Sequence, residues 1–266
     1  MFKHLTLSPG VNVKLKDFDP GDTHGWEEAD AKRELEELRE KMEKLQDVFY
    51  ASGKYALLIV LQAMDAGGKD GTVKHVMGGF NPSGCSVISF KAPSPEELSH
   101  DFLWRVHKAV PPRGHIGIFN RSHYEDVLVV RVLNLVPEKV WRERYDQINT
   151  FEKMLCENNV IVLKFFLHIS KKEQADRFRD RLADPKKIWK FNPGDLEMRE
   201  KWGDFMEAYD DVLERCTTAH APWTIVPADV KWFRNLVVAR RIVETVDALD
   251  LKYPPPAPGV EKIEIV

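Results

Sequence analysis

The sequence predicts an α/β protein in which a central parallel sheet, flanked by helices, forms a three-layer sandwich. Short apolar runs that suit buried parallel strands alternate along the chain with longer amphipathic segments of helical period. The chain has 266 residues, 43% of them hydrophobic and 30% charged, which is enough for one sizeable domain with its own core. Because the sequence has no internal repeat and no low-complexity linker, we expect a single domain over residues 1–266.

The elements can be placed in order from their periodicity and their caps. An amphipathic helix is expected first, over Glu28–Phe49, and its apolar stripe suits either a partner or, more commonly, the chain's own core. A capping box at Ser94-Pro95-Glu96-Glu97 opens a helix that is expected to continue to Val110. The predicted strands are Tyr55–Leu61, Cys85–Phe90, His115–Phe119, Val160–Leu167 and Trp223–Val226. The remaining predicted helices are Pro137–Glu157 and Trp232–Leu249, followed by an exposed, proline-rich tail over residues 252–266.

Charge and composition exclude several classes of protein. The formal net charge of −3 gives no general attraction to nucleic acid or to anionic membranes, so a polyanionic ligand would need a local basic patch. The apolar runs are too short to span a bilayer, and Met1–Gly10 lacks the apolar core of a secretory signal. Cys85, Cys156 and Cys216 match no zinc or redox spacing and are expected to be reduced thiols. These observations favour a cytoplasmic protein without a nucleic-acid or membrane partner.

The most informative motif is the stretch Ala63–Thr72, which reads AMDAGGKDGT and follows a predicted buried strand. Backbone N–H groups at a glycine-rich turn and a helix N-terminus can cradle phosphate, and Lys69 adds a positive charge, as in a Walker A loop. The stretch departs from that consensus, because Ala63 replaces the first glycine and Asp70 replaces the hydroxyl residue after the lysine. Thr72 could supply the missing hydroxyl instead, and Asp65 places a carboxylate inside the loop. An incidental glycine-rich turn is the alternative.

A second polar cluster follows the strand predicted at His115–Phe119. It contains Arg121, His123, Glu125 and Asp126. Because ligands of open parallel sheets bind beyond the carboxyl ends of the strands, this cluster is expected beside the glycine-rich loop. Its carboxylates could hold Mg²⁺, and Arg121 could contact phosphoryl oxygens with its forked guanidinium. A salt-bridged loop without a ligand is the alternative reading.

A third cluster, over residues 170–202, is rich in basic side chains. Arg177 and Arg181 lie four residues apart and therefore share a helix face. A mobile basic segment that closes over phosphates would exclude water and stabilise transferring charge, so a lid is one reading of this cluster. A solvated charged helix fits the same pattern. Trp189 is the tryptophan best placed in the sequence to contact a nucleotide base.

Together these segments resemble the polyphosphate kinase 2 family. The resemblance extends from about residue 12 to residue 253 and rests on these pieces: Met64–Thr72, Pro82–Phe90, Leu103–His107, Phe119–Val127, Arg181–Pro185, Trp189-Lys190, Glu200–Trp202 and Ala221–Trp223. It implies a P-loop kinase-like fold similar to that of thymidylate kinases, with a helical lid. It also implies phosphoryl transfer between inorganic polyphosphate and nucleotides, with Mg²⁺ or Mn²⁺ as the metal.

The three clusters and the resemblance together indicate roles for individual residues. The catalytic residues would be Asp65, Lys69, Arg121, Arg181 and Asp195. The metal ligands would be Asp65, Glu125 and Asp126. Phosphate or nucleotide would be bound by Ala66, Gly67, Gly68, Lys69, Asp70, Gly71, Thr72, Lys74, Arg121, His123, Arg131 and Lys190. Among these, Lys74, Arg131 and the basic lid residues are expected to line the path of polyphosphate.

The expected substrates are inorganic polyphosphate and adenine nucleotides, with guanine nucleotides as further candidates. Many members of the family have Trp-Tyr-Asn-Arg where this chain has His123-Tyr124-Glu125-Asp126, which resembles the branch acting on both AMP and ADP. A homo-oligomer, dimer or tetramer, is expected. Two alternatives stay open: an ATP-dependent nucleoside monophosphate kinase, which composition does not separate from the first hypothesis, and a non-catalytic P-loop switch. The absence of an Asn-Lys-x-Asp guanine motif argues against the switch.

Overall fold

The computed structural model describes residues 2–260 and residue 263, and a parallel sheet lies at its centre. The strands of this sheet are β1 (Ala56–Gln62), β2 (Cys85–Ser89), β3 (Ile116–Asn120), β4 (Val160–His168) and β5 (Trp223–Pro227). Their spatial order is β2-β3-β1-β4-β5, and every neighbouring pair is parallel. The predicted parallel sheet is thereby confirmed, with each strand boundary within one residue of its expected place.

Helices account for most of the remaining described residues. They are α1 (Glu28–Ser52), α2 (Lys69–Val76), α3 (Pro95–Leu98), α4 (Trp104–Ala109), α5 (Val129–Val132), α6 (Glu138–Glu157), α7 (Lys171–Ala183), α8 (Gly194–Glu200), α9 (Trp202–Arg215) and α10 (Lys231–Asp247). Within the described part of the chain, none of them is both long enough and apolar enough to cross a membrane.

The helix expected from Ser94 to Val110 is wrong as a single element, because it divides into α3 and α4. The predicted capping box is present: the Glu97 N–H donates to Ser94 Oγ over 3.2 Å, and the Ser94 N–H donates to Glu97 Oε2 over 2.8 Å. Further on, Asp101 Oδ1 accepts the N–H of Leu103 over 3.0 Å. Such side-chain bonds to the backbone compete with helical ones, and α3 buries no residue that would hold the helix together.

The sheet is covered by two groups of helices. Helix α10 contacts both α1 and α2, and α5 contacts both α6 and α9. Every residue of β1 is buried, as expected for a central strand with helices over both faces, so the three-layer sandwich is confirmed. The apolar stripe of α1 faces inward, with Leu35, Leu38, Met42 and Phe49 all buried in the core.

The topology places two of the predicted motifs side by side. β1 and β3 are adjacent, with Leu61 opposite Asn120, and the N–H of Arg121 donates to the carbonyl of Leu61 over 3.1 Å. The strand order reverses direction at β1, which is where open α/β sheets form their ligand crevice. The loop after β1 and the segment after β3 therefore begin at one point on the carboxyl edge of the sheet.

The expected lid and tail lie at the surface. Residues 170–202 comprise α7, a short 3₁₀ turn at Ile188–Lys190 and α8. Described residues of the tail from 252 to 260 are exposed, whereas positions 261, 262 and 264–266 of that predicted segment lie outside the described residues. The single domain over residues 1–266 and the closing motion of the lid stay predictions.

Candidate active site

The glycine-rich loop between β1 and α2 has a tight, left-handed geometry. Ala66 has φ 59° and Gly68 has φ 101°, and the N–H of Gly67 closes a turn onto the carbonyl of Met64 over 2.9 Å. A left-handed alanine costs free energy that the surrounding contacts must offset, a feature often found at functional sites. A Cβ at Gly68 would overlap the guanidinium of Arg234, so a larger residue there would displace that guanidinium as well as strain the left-handed backbone.

Lys69, the first residue of α2, is folded back onto this loop. Its Nζ donates to the carbonyl of Ala63 over 2.8 Å and lies 3.4 Å from that of Met64. Burial, followed by the charge of Arg121, lowers the pKa of Lys69 to about 8. The ammonium is therefore poorly solvated and lacks a carboxylate in hydrogen-bond contact within the described residues, which suits it to bind an anion.

Arg121 lies between two carboxylates at the end of β3. Its Nη2 donates to Asp65 Oδ1 over 2.6 Å, and its Nη1 is 3.9 Å from Glu125 Oε2. Glu125 is oriented by Gln62, whose Nε2 donates to Glu125 Oε1 over 2.9 Å. Burial opposes the charge of Arg121, but Glu125 and Asp65 outweigh that effect and raise its pKa. Arg121 also has φ 63°, so its backbone is strained at the same point.

Two residues expected in the site, His123 and Asp126, point elsewhere. Both lie in the 3₁₀ turn His123–Asp126, where side chains three residues apart eclipse one another and share a side. Asp126 Oδ1 accepts from Arg144 over 3.2 Å, and buried His123 is 3.2 Å from Glu152 through its Nε2. The turn thus brings Glu125 towards Asp65 and directs its neighbours away.

The carboxylates left at the site fit a divalent metal ion with incomplete protein coordination. Among the described residues, no group of three His, Cys, Asp or Glu could hold a metal ion. Asp65 and Glu125, however, both face Arg121, and a pair of carboxylates is a donor set that Mg²⁺ uses when phosphate oxygens and water complete its shell. Of the three expected metal ligands, these two are brought together and Asp126 is not.

The base of the lid is fastened to the glycine-rich loop. Arg177 on α7 donates through Nη1 to the carbonyl of Ala66 over 2.9 Å and through Nη2 to that of Ala228 over 2.5 Å. Gln174 Nε2 donates to the carbonyl of Asp65 over 2.8 Å. Further along the lid, Arg181 lies 3.8 Å from Asp195. Burial, followed by the charge of Asp65, raises the pKa of Asp195, so this lid carboxylate lies near the site.

These groups surround a cleft of about 1400 Å³ at the carboxyl edge of the sheet. The predicted residues that line it are Asp65, Ala66, Gly67, Gly68, Lys69, Asp70, Gly71, Arg121, Arg181, Lys190 and Asp195. The exposed indole of Trp189 also lines it, next to Lys190, whose Nζ is 5.2 Å from the ring centre. The P-loop, the segment after β3 and the lid therefore form the walls of one site.

Four other predicted residues do not line this cleft. One of them, Glu125, lies behind it, 3.9 Å from the Arg121 guanidinium. Thr72 is buried and its hydroxyl donates to the carbonyl of Gly68 over 3.1 Å, which closes a bond within its own helix. Lys74 is exposed on α2. Arg131 donates to Asp211 Oδ2 over 2.6 Å and is 4.8 Å from the ring centre of Trp141, so it joins α5 to α9 and α6. The expected polyphosphate path along Lys74 and Arg131 has no support from this placement.

Sequence reasoning missed the start of α10, which supplies Lys231, Trp232, Arg234 and Asn235 to the cleft. The helix was expected, but its periodicity showed only an amphipathic element. The sequence does contain a signal for it, because Arg234 stands in a mostly apolar stretch, Phe233–Ala239. Every residue of that stretch is buried in the structure. A charged residue within such a run must have a buried partner or a ligand.

The three cysteines make no disulfide, and burial disfavours their thiolate forms. Burial raises the pKa of Cys85 and of Cys156 to about 11, and that of Cys216 to about 12. A nucleophilic cysteine needs the opposite shift, because the thiolate is the reactive form. The three thiols are therefore poor nucleophiles.

Comparison with known proteins gives a consistent result. A family model described as polyphosphate kinase 2 matches residues 25–254. A Meiothermus ruber protein named AMP/ADP-polyphosphate phosphotransferase is 50% identical over 265 residues, 99% of each chain. A Rhodopseudomonas palustris protein named ADP-polyphosphate phosphotransferase is 46% identical over 235 residues, 84% of this chain and 81% of the relative.

A solved structure agrees with these relatives. The crystal structure of polyphosphate kinase 2 from Arthrobacter aurescens TC1 superimposes with a TM-score of 0.93 at 40% identity. The match covers 98% of this chain and 93% of that chain. Family model, sequence relatives and solved fold thus coincide over nearly the whole length, and the chain belongs to the polyphosphate kinase 2 family.

Proposed function

We propose that this protein is a polyphosphate:nucleotide phosphotransferase that phosphorylates AMP to ADP and ADP to ATP. The observation that carries the proposal is the convergence of the P-loop Lys69, the Asp65–Arg121 pair and the basic lid on one cleft, with Glu125 next to Arg121. The two relatives named above are described as acting on AMP and ADP or on ADP, with polyphosphate. The chain is an enzyme of this phosphotransferase class.

Direct in-line transfer requires positioning and charge neutralisation more than covalent chemistry. Lys69 and the loop N–H groups bind phosphate oxygens, and the poorly solvated ammonium gains the counter-charge it lacks in the free protein. Arg121, which contacts Asp65 and Glu125 in the free protein, turns its planar guanidinium to the transferring phosphoryl group when substrates bind. Each of these groups favours the charge that spreads over the phosphoryl oxygens during transfer.

A divalent metal ion is generally required by phosphotransferases of this kind, and we propose Mg²⁺, with Mn²⁺ as an alternative. Asp65 and Glu125 are the residues that would hold it. When bound there, the ion would supply positive charge that neutralises phosphate oxygens. Asp126 is left out of this proposal because Arg144 and Arg105 surround its carboxylate.

The lid supplies the remaining groups. Arg181 and Lys190 neutralise the negative charge of the phosphates from the lid side of the cleft. Asp195, 3.8 Å from Arg181, orients its guanidinium. Closing residues 170–202 over the cleft would exclude water, which would otherwise compete with the nucleotide as phosphoryl acceptor. The anchoring of α7 through Arg177 leaves the segment after Ala183 as the part that moves.

The test supplies purified protein with polyphosphate, Mg²⁺ and either AMP or ADP, in the absence of ATP, and separates the nucleotides by chromatography. ADP is expected from AMP, and ATP from ADP, with loss of both when a chelator is present. If these mixtures stay unreacted while ATP and AMP react, the protein is an ATP-dependent monophosphate kinase. If nothing reacts but ligands bind, the switch alternative is favoured.

Location and assembly are also proposals. The free cysteines and the ordinary composition agree with a cytoplasmic protein. Sedimentation of the purified chain would show whether it forms the expected dimer or tetramer.

A further inference from the structure

Arg234, near the start of α10, is a buried guanidinium placed against the glycine-rich loop. Its residue is 3% exposed. A Cβ built on Gly68 would overlap its Nη1, and one built on Gly71 would lie 3.1 Å from its Nη2. The two glycines thus admit the guanidinium to within contact of the first turn of α2, beside the groups proposed to bind phosphate.

Its charge has no acidic partner among the residues that the structure describes. Nε and Nη2 donate to the neutral Asn235 Oδ1 over 3.2 Å and 2.9 Å, and Nη1 makes no hydrogen bond within those residues. The nearby carboxylates have other donors: Glu173 accepts from Arg177, Asp70 from Asn120, and Asp229 from the N–H of Ser170. Burial and then Arg177 lower the pKa of Arg234 to about 10, which agrees with this imbalance.

The surroundings of Arg234 are themselves positive. Arg177 approaches the same glycine, since its Nη1 would lie 3.4 Å from a Cβ on Gly68. The N-terminus of α2 carries the positive end of a helix dipole, a position that favours an anion and disfavours a cation. Arg177 is paired with Glu173, but burying the unpaired guanidinium of Arg234 at such a point is costly unless an anion joins it. Arg234 lines the cleft, so an anion in the cleft can reach it.

We propose that Arg234 binds a phosphate unit of the polyphosphate donor, at a subsite between the glycine-rich loop and the start of α10. The inference rests on the proposed function and extends it to a residue outside the P-loop and the lid. From this subsite the donor chain continues along the wall that α10 and α1 share, where Lys231 and Lys32 also line the cleft. The nucleotide then occupies the opposite side, towards Arg121 and the lid.

The experiment compares Arg234→Met with Arg240→Met, a matched change on the same helix. Arg240 is 2.8 Å from Glu34 and does not line the cleft. Thermal unfolding is followed without ligand and with inorganic polyphosphate alone, and polyphosphate affinity is measured by calorimetry without nucleotide. KM for polyphosphate and for AMP is then determined separately.

For Arg234→Met we expect polyphosphate affinity to fall roughly tenfold or more, as when a charge-assisted hydrogen bond is removed. KM for polyphosphate should rise more than KM for AMP. The unliganded variant should be as stable as the wild type or more stable, because an unpaired buried charge is gone. Arg240→Met should lose stability and keep its polyphosphate affinity. Arg234→Lys, which keeps the charge without the fork, should fall between wild type and Arg234→Met.

Unchanged polyphosphate affinity in both Arg234 variants overturns the subsite, as does a rise in the KM of AMP alone. A loss of unliganded stability with unchanged affinity would make Arg234 a structural residue. Because polyphosphate binding is measured without nucleotide, the measured affinity does not depend on whether the protein catalyses phosphoryl transfer. A wild-type protein that binds polyphosphate but does not phosphorylate AMP or ADP overturns the proposed function only, and one that does not bind it overturns both.

Discussion

Lys69 has opposite consequences for binding and for stability as pH rises, because its pKa is lowered to about 8. An anion binds the protonated ammonium, so polyphosphate affinity should fall as pH rises through about 8, by up to roughly tenfold per pH unit. The unfolded chain, with its normal lysine pKa of 10.5, binds more protons than the folded one between about 8 and 10.5. Stability of the free protein should therefore rise over that interval.

Lys69→Met tests both trends. We expect this variant to lose both pH trends and to lose turnover by about two orders of magnitude, the usual cost of removing a group that stabilises transition-state charge. Affinity is measured by calorimetry, and stability by urea unfolding at several pH values. Lys74→Met, an exposed change one turn later on α2, is the control and should keep both trends. An affinity that does not change across pH 8 in the wild type would contradict this account of Lys69.

The three carboxylates expected to bind metal should separate into two groups. Asp65→Asn and Glu125→Gln should each weaken Mn²⁺ binding, measured by electron paramagnetic resonance, by roughly tenfold or more. The neutral amide oxygen that replaces each carboxylate is a weaker ligand for a divalent metal ion. Asp126→Asn should leave Mn²⁺ binding within about twofold, because Arg144 and Arg105 face its carboxylate instead. Equal losses in all three variants would show that the turn after β3 rearranges when metal binds.

Among the elements, β4 and α6 are joined by a buried ion pair that supports the turn after β3. Lys164 Nζ lies 2.6 Å from Glu152 Oε2, and both side chains are fully buried. Glu152 Oε1 also accepts from the Tyr124 hydroxyl over 2.8 Å and lies 3.2 Å from His123 Nε2. Burial alone would raise the pKa of Glu152, but Lys164 and His123 outweigh it and lower that pKa. Glu152 thus holds His123 and Tyr124, on the side of the turn opposite Glu125, against α6.

Glu152→Gln should reduce the free energy of unfolding by about 3–5 kcal/mol, because it leaves the Lys164 charge buried without its counter-ion. The double variant Glu152→Gln/Lys164→Met should recover much of this loss, since no unpaired charge remains. Urea unfolding of the two single variants and the double variant gives the coupling. On the same helix, the pair Lys153–Glu157 is exposed, so Glu157→Gln should change stability by no more than about 0.5 kcal/mol. Additive losses at the buried pair would refute the coupling.

The elements also show which features a sequence can predict. Strands and long helices follow local rules, since the burial of β1 and the stripe of α1 can be seen in their apolar patterns. The pairing of Lys164 with Glu152 could not be predicted, because a lysine inside an apolar strand does not indicate which distant carboxylate meets it. For the same reason the sequence placed Asp126 and Arg131 in the site. A motif assigns a charged residue to the site by its position in the sequence. The direction of its side chain depends on distant partners, here Asp211 for Arg131 and Arg144 for Asp126.

At the scale of the whole molecule, the distribution of charge matters more than its sum. The chain carries a formal charge of −3, yet the cleft is lined by 11 basic and 8 acidic residues, so the rest of the chain has a net negative charge. The net charge of the molecule therefore repels a long polyanion, whereas the excess of basic side chains at the cleft attracts it. Such a field raises the local concentration of the polyanion at the cleft, and salt screens it over a Debye length of about 10 Å at 0.1 M.

KM for polyphosphate should consequently rise with ionic strength, more steeply for long chains than for short ones, because a longer chain brings more charges within reach of the cleft. KM for AMP, which carries few charges, should rise less. Initial rates at increasing KCl concentration, with each substrate varied in turn, measure both slopes. Glu157→Lys, an exposed change outside the cleft, should lower KM for polyphosphate slightly at low salt and have no effect at high salt, because only the long-range repulsion is altered. If KM for polyphosphate does not depend on salt, contacts within the cleft rather than the field of the molecule govern capture of the donor.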